Sequence, residues 1–185
     1  MTTTNNRSKT YDMVCIAIFA VVMAVCSWIS IPMTVPFTLQ TLGLFLTIGV
    51  LGGKRGTLAI LIYILLGAVG IPVFSGFTGG LGVLLGNTGG YILGFLFSGL
   101  AMWGMEKLLG RKAWALALAM ILAMAVYFVF GTAWFMAVYT NKVGEVGLGA
   151  VLSWCVIPFV IPDLLKMVLA LMLCGRLGRI VEKQC

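Results

Sequence analysis

The last apolar run of the chain, from Ala150 to Cys174, is long enough to cross a bilayer, yet it carries two charges. It contains Pro158-Phe-Val-Ile-Pro-Asp-Leu-Leu-Lys166, and Asp163 and Lys166 are its only charged residues. A span needs about 20 residues. In hydrocarbon the backbone must satisfy its own polar groups, which makes such a span a helix. A charge near mid-membrane costs from about 2.5 to more than 10 kcal/mol, so charged residues there face a protein interior or a watery cavity and mark function. A separation of three places Asp163 and Lys166 on one helical face. Two readings follow: a ligand site, or a self-neutralising pair that ties helices together.

The rest of the chain repeats the apolar theme. Of its 185 residues 62% are hydrophobic and 9% charged, against about 25% charged in soluble domains. Apolar segments are expected at about Met13–Ile31, Leu39–Leu51, Thr57–Val69, Tyr91–Met105 and Ala113–Tyr139, with the last run ending before Arg176. The expected fold is an all-α membrane protein of six transmembrane helices, forming a single domain over residues 1–185 with a polar tail at 1–11. The first run lacks a small-residue cleavage site and reads as a retained helix, not a signal peptide. Arg7, Lys9, Lys54, Arg55, Lys107, Arg111, Lys112, Arg176, Arg179 and Lys183 fall on one side of such a bundle, and Lys142, with Glu145 nearby, on the other. The positive-inside rule then makes both termini cytoplasmic. A net charge of +7 could point to nucleic acid. Small basic groups between apolar runs write topology instead, so no nucleic-acid partner is expected. The partner is the lipid bilayer, in a multi-pass protein of the cell membrane.

Two interruptions are uncharged. Ser30–Thr38 holds two prolines, and Gly70–Gly90 is rich in glycine. Irregular backbone at membrane depth is tolerated where it is buried in protein or lines a cavity. Both fall on the outer side with the start of the last helix, so the expected site is a pocket facing outside. Val35–Gln40 and Gly76–Gly82 would form its lid. Asn87, Tyr91 and Gln40 at neighbouring helix starts add polar groups, although such residues often only cap a helix. Gly90, Gly94 and Ser98 recur every fourth position, which lets helices pack closely in lipid. Ala17, Ala20, Ala24 and Ser27 make a second small-residue face, and Trp28 suits an aromatic belt.

Several chemistries drop out. There is no histidine to activate a serine, and one intramembrane carboxylate is too few for a metal-dependent transferase. The five cysteines have no zinc spacing and read as small core residues. No metal or cofactor is expected. A phosphate-binding GxxxxGK[ST] loop is absent, so the chain is not an ATP-driven pump by itself. A secondary transporter remains open. The class favoured by the residues is a small-molecule binding protein energised by a partner.

Five stretches carry a resemblance: Val35-Pro-Phe-Thr-Leu-Gln-Thr-Leu-Gly43, Leu66-Gly-Ala-Val-Gly-Ile-Pro-Val-Phe74, Gly79-Gly-Leu-Gly82, Thr88-Gly-Gly-Tyr-Ile-Leu-Gly-Phe95 and Pro162-Asp-Leu-Leu-Lys166. They span almost the whole chain, and in them the sequence resembles the BioY family, the biotin-specific substrate-binding (S) components of energy-coupling-factor (ECF) transporters. The resemblance implies six helices, an outward-facing vitamin site and no enzymatic activity. It also implies high-affinity capture and uptake of biotin, driven by a coupling transmembrane protein and two ATPase subunits. Asp163 and Lys166 match the family's binding pair, and Asn87 and Tyr91 its polar positions around the fourth helix. Gln40 and the backbone of Gly80 complete the expected substrate contacts. Ala20-x-x-x-Ala24, with Ala17, resembles the docking motif for the coupling protein, although such a face can equally pack within its own chain. Another small vitamin, or stand-alone secondary transport, is the alternative. Biotin's ureido ring offers two N–H donors and a carbonyl. An ionised Asp163 only accepts and Lys166 only donates, so the pair can bracket that ring. In the reverse pose Lys166 takes the valerate carboxylate.

Overall fold

A computed structural model describes residues 3–33, 35–144 and 146–182. Thr34, Glu145, Lys183 and Cys185 lie outside the described residues, as do the side chains of Arg7, Lys142 and Arg179. The elements run α1 (Thr3–Trp28), β1 (Ser30–Ile31), β2 (Phe37–Thr38), α2 (Gln40–Leu51), α3 (Gly53–Ala68), a 3-10 turn at Ser75–Phe77, α4 (Leu81–Leu84), α5 (Gly89–Leu109), α6 (Ala113–Val143), α7 (Leu148–Cys155) and α8 (Ile157–Glu182). It is a multi-pass helical membrane protein. Four stretches are long and apolar enough to cross a bilayer: Lys9–Trp28, Gly89–Leu109, Ala113–Asn141 and Leu148–Leu177. With 12 and 16 residues, α2 and α3 are shorter. The six expected segments are all helical, but only four reach span length.

Three boundaries differ from expectation. The polar tail is helical from Thr3, where α1 starts, and α1 is tied to α3 by Asp12 and Arg55, 2.9 Å apart. The basic glycine turn at 52–56 shrinks to Gly52. Its φ of 83° is cheap for glycine alone, and Gly53 already begins α3. The last run breaks at Val156. Pro158 has no N–H to give Trp154 and crowds the residue before it. Pro162 stays inside α8.

Close packing follows the small residues. Along α5, a Cβ at Gly90 would overlap Trp134 and one at Gly94 would lie 3.1 Å from the Tyr127 backbone. Ser98 donates to the Ala123 carbonyl at 2.8 Å. The whole row therefore faces α6. On α1, Ala20 and Ala24 are 2% and 4% exposed and belong to the chain's own core. Helices α2 and α3 pack against α1 there. Ala17 alone of the three is exposed. Around it Val14, Ile18 and Val21 stand half-exposed, as a lipid-facing side should.

Four helices build one seam, with α5 lying along α6 and α2 along α8. The turn after α5 meets the turn between α2 and α3. There Arg111 donates to the Gly49 and Val50 carbonyls at 3.3 and 3.2 Å, and Glu106 accepts the Gly53 N–H. Leu44, Phe45, Met120, Ala123 and Ala170, all fully buried, fill the middle of the seam.

Candidate functional site

The site grows from the start of α8. One face of that helix holds Asp163 and Lys166, 2% and 7% exposed, with Lys166 Nζ 2.8 Å from Asp163 Oδ1. The first turn of α2 supplies the next partner. Thr41 donates to the same Oδ1 at 2.9 Å and accepts from Lys166 at 3.1 Å. Thr38, at the end of the short β-ribbon, turns the chain into α2 by accepting the Gln40 N–H at 3.1 Å. Its carbonyl then receives Lys166 Nζ at 2.7 Å. From mid-α6, Tyr127 donates to Asp163 Oδ2 at 2.6 Å. The Lys166 ammonium also lies 4.3 Å from the centre of the Phe37 ring, a cation–π position.

The hydrogen-bond count matters. An ammonium has three donors, and Lys166 uses them on Thr38, Thr41 and Asp163. An ionised carboxylate has about four acceptor positions. Lys166, Thr41 and Tyr127 fill three, which leaves Asp163 one position for a further N–H. A buried pair left half-broken costs about 3–5 kcal/mol. A pair this completely satisfied can persist in an apolar bundle.

Beside the pair is a cavity of about 260 Å³. Apolar and aromatic side chains dominate its wall, Phe74, Phe95, Phe128 and Phe159 among them, and polar tips interrupt it at Gln40, Tyr91 and Thr88. Ligand pockets are typically apolar with a few placed polar groups. The Gln40 amide donates to the Tyr63 hydroxyl at 2.7 Å, and the Tyr91 hydroxyl is 3.2 Å from Thr132 Oγ1. Tyr91 fits because residue 131 is glycine: a Cβ there would overlap its ring.

Of the residues expected from sequence, Asp163, Lys166, Gln40 and Tyr91 meet on this wall. Asn87 and Gly80 do not line it. The Gly80 N–H is committed to the Gly67 carbonyl at 2.6 Å, and Asn87 Oδ1 is buried with no hydrogen-bond partner among the described residues. Thr41 and Tyr127 were missed. A threonine beside Gln40 and a tyrosine deep in an apolar run carry little signal singly. The usable signal was that Tyr127 places a hydroxyl near mid-span, where Asp163 needs a donor.

The glycine-rich segment crosses the mouth as a strap. Trp28 donates its indole N–H to the Pro72 carbonyl at 2.8 Å and stacks on Phe77 with centroids 5.0 Å apart. Ser27 donates to the Val73 carbonyl at 2.5 Å. Phe77 itself is 63% exposed and has a φ of 56°, a conformation uncommon outside glycine.

Comparison with known proteins places the fold. The profile of the BioY family matches residues 1–183. The chain is 38% identical over 164 residues to the biotin transporter BioY of Thermotoga maritima, covering 88% of this chain and 93% of that one. It is also 38% identical over 165 residues to the biotin transporter BioY2 of Lactococcus lactis, covering 88% and 87%. A crystal structure of the S-component for biotin from an ECF-type ABC transporter superposes with a TM-score of 0.82 over 94% of each chain, at 23% identity. At that identity the likeness concerns the fold.

Proposed function

The chain belongs to the BioY family, and we propose from that premise that it captures biotin as the S component of an ECF-type transporter. It is a transport protein and not an enzyme. The carrying observation is the enclosed Asp163–Lys166 pair opening on a 260 Å³ cavity. Asp163 has one acceptor position left, which suits a ureido N–H. Lys166 exchanges its longest contact, Thr41 at 3.1 Å, for the ureido carbonyl. Both bonds are charge-assisted, the stronger kind. The valerate arm then points along the aromatic wall toward the mouth, where Tyr91 and the hydroxyls of Ser75, Thr78 and Thr88 are to hand. Asn87 and Gly80 come within reach only if the strap shifts.

The reading extends to topology and partners. Residues 1–185 form one membrane-embedded unit of six helices, with α2 and α3 completing the set and α7 and α8 counted as one span. Residues 1–11 and the C-terminus face the cytoplasm of a plasma-membrane protein, and the strap faces outside. Energy comes from a coupling transmembrane protein and two ATPases, and α1, which carries the row Ala17, Ala20 and Ala24, offers the coupling protein its docking face. Titration of detergent-purified protein with biotin, without ATP, should give saturable one-to-one binding. Absence of biotin binding beside tight binding of a different vitamin would sink the assignment.

A further inference from the structure

A second cavity, of about 340 Å³, opens at the opposite end of the same seam. Helices α2, α5, α6 and α8 line it too, with Ile48, Met102, Leu116 and Leu171 as its greasy walls. Room comes from small residues: Ala115 and Ala119 on α6, Gly49 on α2 and Gly175 on α8. Its polar lining is Glu106 and Arg111. The biotin site encloses its charges, whereas here they stand at the rim, with side chains 29% and 44% exposed.

The rim is cationic on balance. Glu106 Oε1 is 3.7 Å from Arg111 Nε, a loose contact, while Oε2 accepts the Gly53 N–H. Arg111 spends Nη2 on the carbonyls ending α2, and its Nη1 donates to nothing among the described residues. Lys112 and Arg176 are exposed next to lining residues. The first turn of α6, which has no side-chain cap, adds to the positive potential. Trp114, 54% exposed beside the mouth, and Trp103, with the Lys107 ammonium 4.5 Å from its ring centre, mark the level of the membrane interface. An apolar cleft between helices with a basic rim at headgroup depth matches an amphiphile with an anionic head.

We propose that this cavity holds one anionic phospholipid, its phosphate on Arg111 and one acyl chain between α2, α5, α6 and α8. The uncommitted Nη1 of Arg111 can give a phosphate oxygen a charge-assisted hydrogen bond, and no soluble anion would use the greasy walls. Cavity and rim stand without the biotin reading.

The test is native mass spectrometry of delipidated protein. It is titrated with phosphatidylglycerol, with phosphatidylcholine of identical chains, and with sn-glycerol 3-phosphate as the soluble headgroup. The expected result is one phosphatidylglycerol per protein, at least about ten-fold preferred over phosphatidylcholine, with no retention of glycerol phosphate. Arg111→Gln should abolish the preference, and Ala119→Leu should weaken both lipids by filling the cavity. Both variants should bind biotin as the unaltered protein does. Equal binding of the two lipids, or a preference untouched by Arg111→Gln, overturns the proposal. Glycerol phosphate binding as tightly as the lipid overturns it in favour of a soluble phosphate. Should Ala119→Leu not fold, Arg111→Gln decides alone, since its position is exposed. Lipid preference without any biotin binding would fault the biotin reading and leave this one standing.

Discussion

The Asp163–Lys166 and Glu106–Arg111 pairs stand at opposite ends of one four-helix seam, and the same chemistry is put to different use at each. The first pair is enclosed, 2.8 Å apart, with Thr41, Thr38 and Tyr127 satisfying what the two charges do not give each other. The second is 3.7 Å apart and half open, and each partner serves the backbone of the α2–α3 turn. Enclosure raises the energy at stake in each charge. A ligand bound at the inner pair would have to replace specific hydrogen bonds and not water, which would make that pair selective. The lesson is that an ion pair in a membrane bundle is read from its remaining hydrogen-bond capacity, not from its mere presence.

The largest expected effect separates the pairs. Lys166→Met leaves Asp163 charged and buried, a loss of about 3–5 kcal/mol, relieved only as far as water enters the cavity. Arg111→Met removes a half-exposed pair worth up to about 1 kcal/mol. Thermal melting in detergent should show a much larger fall for Lys166→Met, and only that variant should lose biotin binding. Comparable melting falls would break the contrast.

A smaller effect sharpens the description of the inner pair. Tyr127→Phe deletes the one donor on Asp163 Oδ2 among the described residues. A hydrogen bond to a charged group contributes about 1.5–3 kcal/mol, so biotin affinity should fall about ten- to one-hundred-fold with the fold intact. Unchanged affinity would mean that Tyr127 only fills space.

The smallest effect concerns the mouth. In a cysteine-free background, Phe77→Cys should react with a polar thiol reagent, and biotin should slow that reaction as the strap settles on Trp28. Identical rates with and without biotin would argue for a fixed strap.

Much of this was legible in the sequence, and the reasons are physical. Asp163 and Lys166 announce themselves because charge in an apolar run is expensive. The row Gly90, Gly94, Ser98 predicted a close helix contact, and it faces α6. The row on α1 has the same signature, and it points inward. Small-residue spacing encodes close approach but not which neighbour approaches. Tyr127 and Thr41 stayed hidden because a hydroxyl in an apolar run costs little to place, so it stands out only beside its partner. The break at Val156 was not read from the sequence: Pro158 causes it, while Pro162, four residues on, is absorbed into α8. The glycine-rich segment signalled irregular backbone. It could not signal that Trp28 and Ser27, some 45 residues earlier, would tie it down.

The central claim is that the enclosed pair exists for the ligand and not for the fold. Calorimetric titration of biotin into the double variant Asp163→Leu/Lys166→Met, beside the unaltered protein, tests it most directly. Replacing a buried ion pair by apolar residues of similar size is often neutral or stabilising, so the variant should remain folded with an undiminished Tm. The account predicts saturable one-to-one binding by the unaltered protein and none by the variant. A folded double variant that binds biotin as tightly as the unaltered protein would contradict it.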